Sequence, residues 1–283
     1  MERWIDLHTH TTASDGSMSP RELVRHAKEN GLTAIAITDH DTIAGLPDAL
    51  DEAEKLGIEV ITGLEIGVEF KPEMHILGYF LNNNYENINK TLIKLRESRE
   101  ERNPKIIHTL NQMGMEITLQ EVEAEALGNV VGRPHIAKVL IKKGYVKSME
   151  DAFSRYLASG RPAYFKKDKL SPEEGIWEIR NAGGIPVLAH PIFLNFNHSE
   201  LDQLVGALAK AGLGGIEAYY SENSKDETGN LLRIAIKHQL LVTGGSDFHG
   251  SIKPNIALGK GRGNLEISYD LLDKMRTSLK ELG

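Results

Sequence analysis

Residues 4–40 of this 283-residue chain read WIDLHTHTTASDGSMSPRELVRHAKENGLTAIAITDH and predict one complete strand–helix–strand unit. Trp4–Leu7 is expected to form the first strand. Ser19-Pro20-Arg21-Glu22 is typical of a helix start, with a capping serine, a proline at the first helical position and an acid at the third. The apolar run Ala34–Thr38 predicts a second strand that is buried on both faces, as in a parallel sheet.

The alternation of strands and helices continues through most of the chain. Further strands are expected over residues 58–64, 185–188, 215–218 and 240–243, with a hairpin-like pair over 68–70 and 74–80. Further helices are expected over residues 43–56, 171–182, 199–211, 231–238 and 271–282. Repeated units of this length predict an α/β protein with a parallel sheet, most simply a closed barrel.

Residues 85–165 interrupt this alternation, because they are charged and helical in pattern and contain no clear strand. We therefore expect a barrel domain made of residues 1–84 and 166–283, with an α-helical insertion domain over residues 85–165. Residues 131–169 hold ten Lys or Arg against three Asp or Glu, a local balance of +7 in a chain whose formal net charge is −7. Such a segment is more commonly a solvated face than a binding surface.

Composition excludes several classes of protein. The chain has no Cys, so a disulfide framework, a thiolate metal site and a Cys nucleophile are all impossible. No apolar run approaches the roughly 18 residues of a membrane span, and the first residues lack the zones of a signal peptide. We expect a cytoplasmic protein without membrane contact, and no obligate protein partner is evident. The net charge also argues against a surface for long nucleic-acid duplexes.

Potential metal ligands follow the predicted strands. His8 and His10 are two residues apart, so a strand would point both imidazoles the same way, as a metal site requires. Asp15 follows the same strand, and His75 lies on the predicted hairpin. Further ligands of the N and O type follow later strands: Asp39, His40, Glu65, His190, Asp247 and His249. In folds of this class the carboxyl ends of the strands meet at one rim, where catalysis occurs. The sequence therefore predicts a metal centre at this rim.

This number of ligands exceeds the needs of one ion and predicts two or three divalent ions that share carboxylates. Imidazole and carboxylate without sulfur favour Mn²⁺, Fe²⁺ or Zn²⁺, with Mg²⁺ possible. Clustered ions hold a hydroxide and clamp phosphoryl oxygens, so phosphate ester hydrolysis is expected. Covalent catalysis is disfavoured, since Gly245-Ser246-Asp247 lacks the pattern of a nucleophilic serine turn.

Several motifs resemble those of the PHP (polymerase and histidinol phosphatase) family. They are Asp6-Leu7-His8-Thr9-His10, Thr38-Asp39-His40-Asp41, Gly63-Leu64-Glu65, Ala189-His190-Pro191 and Ser246-Asp247-Phe248-His249. Segments around His75, Arg133 and Arg161 resemble a stand-alone bacterial phosphoesterase branch of the family. That branch carries a helical insertion and acts on nucleoside 3′,5′-bisphosphates and short oligonucleotides.

The resemblance implies a distorted (β/α)7 barrel that holds three ions. It assigns one ion to His8, His10, Glu65 and Asp247, a second to Glu65, His75 and His190, and a third to Asp15, His40 and His249. We expect catalysis to depend on His8, His10, Glu65, Asp247, His249 and His198, with His198 or His249 as possible proton donors. Asp39 is expected to orient an imidazole from outside the ligand set.

Substrate contacts are expected from the basic insertion. Arg133 and Arg161 each lie in a Gly-Arg-Pro segment, and a guanidinium can bind a phosphate with two hydrogen bonds. In each segment the Gly is expected to let the chain turn and the Pro to fix the backbone. His135 is either a further phosphate contact or a histidine that is satisfied within its turn.

The predicted reaction is removal of the 3′-phosphate from a nucleoside 3′,5′-bisphosphate through a metal-bridging hydroxide. Cleavage of short 5′-phosphorylated oligonucleotides is also compatible with the motifs. A phosphomonoesterase for another small metabolite, such as histidinol phosphate, is the first alternative. The second is a non-catalytic metal-binding module.

Overall fold

The computed structural model describes residues 3–81, 86–126, 131–166 and 168–282. The chain forms two compact units, of which the first joins Met1–Lys90 with Lys169–Gly283 and the second is Thr91–Asp168. The boundary expected between residues 84 and 85 lies outside the described residues, so the domain limits taken from the sequence stay a prediction.

The first unit contains a seven-stranded sheet that follows the order of the chain. Its strands are β1 (Ile5–Asp6), β2 (Ala34–Ile37), β3 (Glu59–Val68), β4 (Met74–Tyr79), β5 (Ile185–Leu188), β6 (Gly215–Tyr220) and β7 (Leu241–Gly245). Neighbouring strands are parallel, except that β4 is antiparallel to both β3 and β5. The backbone N–H of Leu7 donates to the carbonyl of Gly244 at 3.2 Å, which brings the last strand to the first. The predicted α/β fold with a distorted barrel is confirmed.

Six helices of the first unit are α1 (Pro20–Glu29), α2 (Leu46–Leu56), α7 (Pro172–Asn181), α8 (His198–Lys210), α9 (Lys225–Lys237) and α10 (Asp270–Leu282). At the starts of α1 and α7, Ser19 and Ser171 form the capping boxes that the sequence predicts. Helix α9 begins six residues earlier than the expected residue 231, because Ser224 and Glu227 form a further capping box.

Both faces of β2 are buried, as predicted for an apolar run of this kind. Ala34 and Ala36 belong to an apolar cluster that includes Leu7, the residue directly after β1. Ile35 and Ile37, on the other face, pack in a separate cluster with residues of α1 and α2. Burial of each Ile side chain contributes about 1.5–3 kcal/mol. Because side chains alternate along a strand, this packing fixes the register of β2 and the position of the loop after it.

The second unit is helical in the residues that the structure describes. It contains most of α3 (Glu86–Gln112), then α4 (Leu119–Glu125), α5 (Arg133–Lys142), α6 (Met149–Ala152) and a π-helical turn over Phe153–Leu157. Its own apolar core includes Ile106, Leu110, Val122, Ile136 and Leu140. In the described parts of both units, every helix is too short or too polar to cross a bilayer.

Candidate metal centre

Glu65 lies at the centre of a buried group of imidazoles. Its Oε1 lies 2.8 Å from Nδ1 of His75 and 2.9 Å from Nε2 of His190. Its Oε2 lies 3.3 Å from Nε2 of both His8 and His10. Glu65 sits inside β3 rather than at its end, because this strand continues to Val68 instead of ending at residue 64. This carboxylate thus lies beside imidazoles from the loop after β1, from β4 and from the loop after β5.

Asp247 supplies a second carboxylate to the same nitrogens. Its Oδ1 lies 3.6 Å from Nε2 of His8, 3.3 Å from Nε2 of His10 and 3.3 Å from Nδ1 of His249. The Nε2 atoms of His8 and His10 are 3.1 Å apart. Two nitrogens and two carboxylates therefore converge where the resemblance expects the first ion.

Asp15, His40 and His249 form a neighbouring group. Asp15 Oδ1 lies 3.3 Å from Nε2 of His249, and its Oδ2 lies 3.9 Å from Nε2 of His40. The other ring nitrogen of His40, Nδ1, lies 3.1 Å from Glu65 Oε2. This group corresponds to the third expected ligand set, and His40 connects it to the carboxylate at the centre.

Among the residues that the structure describes, three sets of side chains could each hold a metal ion. They are His10 with Asp15, His40 and His249; His8 with His10 and Glu65; and His40 with Glu65 and His75. His190 joins the last region through its contact with Glu65 Oε1. All nine expected ligands are thus brought together, while the division of ligands among ions stays a prediction.

In two of the imidazoles, a hydrogen bond at Nδ1 leaves Nε2 free to bind a cation. Nδ1 of His8 lies 3.0 Å from Glu217 Oε1, so it carries the proton and leaves the lone pair on Nε2. Nδ1 of His249 lies 2.9 Å from the carbonyl oxygen of Asp247, with the same consequence. Nδ1 of His10 is buried without a hydrogen-bond partner. Such nitrogen and oxygen donors suit a divalent transition metal.

The electrostatics of the cluster also favour a cation. Burial lowers the pKa of His10, but its hydrogen bonds to Asp247 and Glu65 outweigh burial and raise the pKa to about 9. Burial likewise lowers the pKa of His75, whereas the charge of Glu65 raises it to about 10. Buried carboxylates that hold protons on imidazoles create the same negative potential that attracts a divalent ion.

Glu217 is a partner of the cluster that the sequence analysis missed. It is fully buried on β6; its Oε1 faces Nδ1 of His8, and its Oε2 accepts the backbone N–H of His190 at 2.8 Å. It therefore orients two expected ligands from different strands. A lone acid in the apolar run Gly215–Tyr220 was the available signal, since an unpaired charge is rarely buried.

Asp247 has two further partners that the sequence analysis missed. The hydroxyl of Tyr220 donates to Asp247 Oδ2 at 2.8 Å, and the ammonium of Lys253 lies 2.6 Å from the same oxygen. These contacts turn Oδ1 toward the imidazoles. The side chain of Lys253 is also 40% exposed, so it presents a positive charge at the edge of the cluster.

Asp39 does not have the role that the sequence suggested. Its carboxylate accepts the backbone N–H and the hydroxyl of Thr11, each at 2.7 Å, and the hydroxyl of Ser14 at 2.5 Å. The expectation that Asp39 orients an imidazole is therefore wrong. Instead, Asp39 shapes the loop that precedes Asp15, because it satisfies the polar groups of that loop.

Two of the expected ligands have unusual backbone angles. His190 has φ = +25° and Asp247 has φ = +58°, a region that residues other than Gly rarely adopt. Such strain persists only where the surrounding structure enforces it, and it is concentrated at functional sites. The loops after β5 and β7 therefore hold these side chains in fixed directions.

Three residues of the helical unit, Arg133, Arg161 and His135, were expected to contact substrate. Arg133 donates to the carbonyl of Leu157 at 3.0 Å, and Arg161 is exposed. Nδ1 of His135 accepts the backbone N–H of Gly132 at 3.0 Å, as in a satisfied helix-start turn. Gly160 has φ = +79°, as a Gly-dependent turn requires.

Gly132 differs from Gly160, since its φ of −127° is open to any residue. The expectation that Gly is needed for a turn there is wrong. His198 is exposed at the first position of α8, away from the hydrogen bonds described above. Its role as a proton donor, like the roles of Arg133, Arg161 and His135 in substrate binding, stays a prediction.

Comparisons with known proteins agree with this geometry. A 5′-3′ exoribonuclease of Haemophilus influenzae is 35% identical over 250 residues, which cover 88% of this chain and 91% of the relative. A 3′,5′-nucleoside bisphosphate phosphatase of Chromobacterium violaceum is 30% identical over 287 residues, which cover 98% and 96%.

A solved structure from Bifidobacterium adolescentis, assigned to the metal-dependent phosphoesterases, superposes with a TM-score of 0.82. It is 32% identical, and the match covers 97% of this chain and 96% of that chain. The family model described as the PHP domain matches residues 6–280. The chain therefore belongs to the PHP domain family.

Proposed function

We propose that this chain, a metal-dependent phosphoesterase, removes the 3′-phosphate of nucleoside 3′,5′-bisphosphates and leaves the 5′-monophosphate. The observation that carries this proposal is that nine buried or partly buried expected ligands, Glu65 and Asp247 among them, lie together in one cluster. The relative from Chromobacterium violaceum, which matches nearly the whole chain, is named for this reaction. The relatives and the solved structure are all named as enzymes that hydrolyse phosphate esters.

The chain's own residues would divide the work of the reaction. His8, His10, Glu65, Asp247 and the remaining ligands would hold two or three divalent ions, with Mn²⁺, Fe²⁺ or Zn²⁺ favoured. When bound, such ions activate water and neutralise charge on phosphoryl oxygens. Glu217 would keep two of these imidazoles in position, and Lys253 is placed to contact an anionic group at the edge of the cluster.

Stepwise hydrolysis of short 5′-phosphorylated oligoribonucleotides is a second candidate. It is supported by the relative from Haemophilus influenzae, whose name is 5′-3′ exoribonuclease. Both reactions break a bond at a 3′-phosphate in a substrate that also carries a 5′-phosphate. A phosphatase for another metabolite, such as histidinol phosphate, remains the alternative outside nucleotides, and a cytoplasmic location stays a prediction.

Arg133 and Arg161 are proposed to bind the phosphate that is not hydrolysed. The ring faces of Phe153 and Tyr164 lie 5.7 and 5.5 Å from the Arg133 guanidinium carbon, and this packing supports a fixed orientation of the guanidinium. Arg133→Ala should therefore reduce turnover of adenosine 3′,5′-bisphosphate far more than that of an aryl phosphate. Lys142→Ala is the matched control, because Lys142 is an exposed cation of the same helix. Equal losses on both substrates would refute the anchoring role.

The substrate itself can be identified by phosphate release in the presence of Mn²⁺. The panel is adenosine 3′,5′-bisphosphate, 3′-AMP, 5′-AMP, histidinol phosphate and a 5′-phosphorylated trinucleotide, each repeated after chelation. Chelator-sensitive turnover that favours the bisphosphate supports the proposal. Preference for the trinucleotide selects the exoribonuclease, and similar rates on every monoester refute both nucleotide assignments.

A further inference from the structure

An aromatic side chain lies beside the cluster of expected metal ligands, on the loop that follows β5. Phe193 belongs to the short 3₁₀ turn Pro191–Leu194, directly after the expected ligand His190. The centroids of the two rings are 5.2 Å apart. Yet Phe193 is 42% exposed, so part of its apolar surface faces solvent next to the site of hydrolysis.

The surrounding structure holds this ring in place. Pro191 and Leu194 are buried on either side of it, and the backbone N–H of Phe193 donates to the carbonyl of His190 at 3.2 Å. The ring packs edge-on against Tyr220, with centroids 5.7 Å apart and planes at 83°. A ligand that stacks on Phe193 would therefore meet a surface that is already ordered.

Tyr220 links this ring to the cluster. Its hydroxyl donates to Asp247 Oδ2, and its own ring lies 5.6 Å from that of His190. Phe193 is thus in contact with two side chains that touch expected ligands. A planar group stacked on Phe193 would lie close to the expected metal ligands, because the Phe193 ring is 5.2 Å from that of His190.

A second aromatic pair occurs in loops of the same rim. Phe70 follows β3 and Phe196 follows the 3₁₀ turn after β5, and their rings pack edge-on with centroids 6.1 Å apart. Three of the seven Phe of the chain therefore lie in the loops after β3 and β5. This local enrichment favours binding of a planar apolar group.

Exposure alone does not identify a binding surface, since single exposed apolar residues are normal. Trp177 and Ile236 are more exposed than Phe193, at 59% and 79%, but they lie on the helices α7 and α9. What distinguishes Phe193 is its contact with an expected metal ligand and with the tyrosine that orients another.

We propose that Phe193 forms a nucleobase-stacking subsite, on which the base of a nucleotide substrate lies while its 3′-phosphate reaches the metal cluster. The inference rests on the proposed function, because it requires a nucleotide substrate. Stacking on an aromatic ring accepts any base, since every base has a π-face. The subsite therefore selects nucleotides over other phosphate esters without selecting among bases.

Kinetics on substrates with and without a base test this subsite. Phe193→Ala should raise KM for adenosine 3′,5′-bisphosphate by about tenfold to a hundredfold, the usual effect of one lost base stack. It should leave KM unchanged for 1-deoxyribose 3,5-bisphosphate, which lacks the base. Phe193→Tyr should keep the wild-type values. Trp177→Ala is the matched control, because it removes an exposed aromatic ring elsewhere. Equal effects on both substrates, or none, would overturn the proposal.

A binding measurement separates this proposal from the reaction. In a background that carries Trp4→Phe and Trp177→Phe, Phe193→Trp places the single tryptophan of the variant in the subsite. With Mn²⁺ present, 5′-AMP should quench its emission, and ribose 5-phosphate should not. Quenching by both, or by neither, overturns the subsite even if the enzyme hydrolyses bisphosphates. Quenching by 5′-AMP alone supports it, even if the wild-type enzyme prefers oligonucleotides.

Discussion

The two ends of the barrel differ in how deeply they bury their polar side chains. At the amino end of β5–β7 lies an open cavity of about 1010 Å³, lined by groups such as Arg180, His238 and Lys274. Its imidazole, His238, contacts Asp202 at the surface. At the carboxyl end, Glu65 and four of the surrounding imidazoles, those of His8, His10, His190 and His249, are buried. Burial of charge, rather than the size of a cavity, identifies the functional end.

The largest effect is expected for Glu65→Gln. The amide keeps the shape of the side chain but removes the charge on which five imidazoles converge. Phosphate release should fall by on the order of 10³-fold, beyond the 10–100-fold that is typical of groups outside the ligand set. Bound metal, measured by inductively coupled plasma mass spectrometry, should fall with it. A variant with full metal content and normal turnover would show that the charge of Glu65 is not needed to hold the metal ions.

A smaller loss at the same end is expected for Glu217→Gln. The amide can still accept a hydrogen bond, but it no longer favours the Nδ1–H form of His8 through charge. Metal affinity should fall by roughly 10–100-fold. The informative readout is the Mn²⁺ concentration that restores half of the activity, which should rise while turnover at saturating Mn²⁺ largely recovers. If that concentration is unchanged, Glu217 is a structural residue only.

At the amino end the expected effect is on stability rather than activity. Gly212 has φ = +103°, and a Cβ at this position would meet the guanidinium of Arg180. Gly212→Ala should lower the free energy of unfolding by about 1–3 kcal/mol because of backbone strain. Turnover per folded molecule should stay at the wild-type value. Gly57→Ala, at φ = +62° with open space around it, is the milder control. A selective loss of turnover in Gly212→Ala would contradict the division between the two ends.

The smallest effect is expected for Lys274→Ala, an exposed residue that lines the amino-end cavity. The free energy of unfolding should change by no more than about 0.5 kcal/mol, and turnover should not change. Thermal unfolding and the phosphate-release assay measure both. Loss of activity here would show that this cavity takes part in function.

The sequence predicted what depends on local pattern and on the general geometry of βα folds. The caps at Ser19 and Ser171 are local, and the meeting of ligands from separate loops follows from the barrel. Glu217 was missed because its partners, His8 and His190, are distant in sequence. The one local signal, a lone acid in an apolar run, does not show what the acid contacts. Asp39 was misassigned, since a strand rule cannot tell that the loop after His10 folds back onto its carboxylate.

The central claim is that one barrel rim holds a cluster of metal ions bridged by Glu65. Anomalous diffraction from crystals grown with Mn²⁺ tests it most directly, because each bound ion gives its own peak. The account predicts two or three peaks at this rim, one of them beside His8, His10 and Asp247, and loss of the peaks adjoining Glu65 in Glu65→Gln. A single peak, or peaks that do not adjoin Glu65, would contradict it.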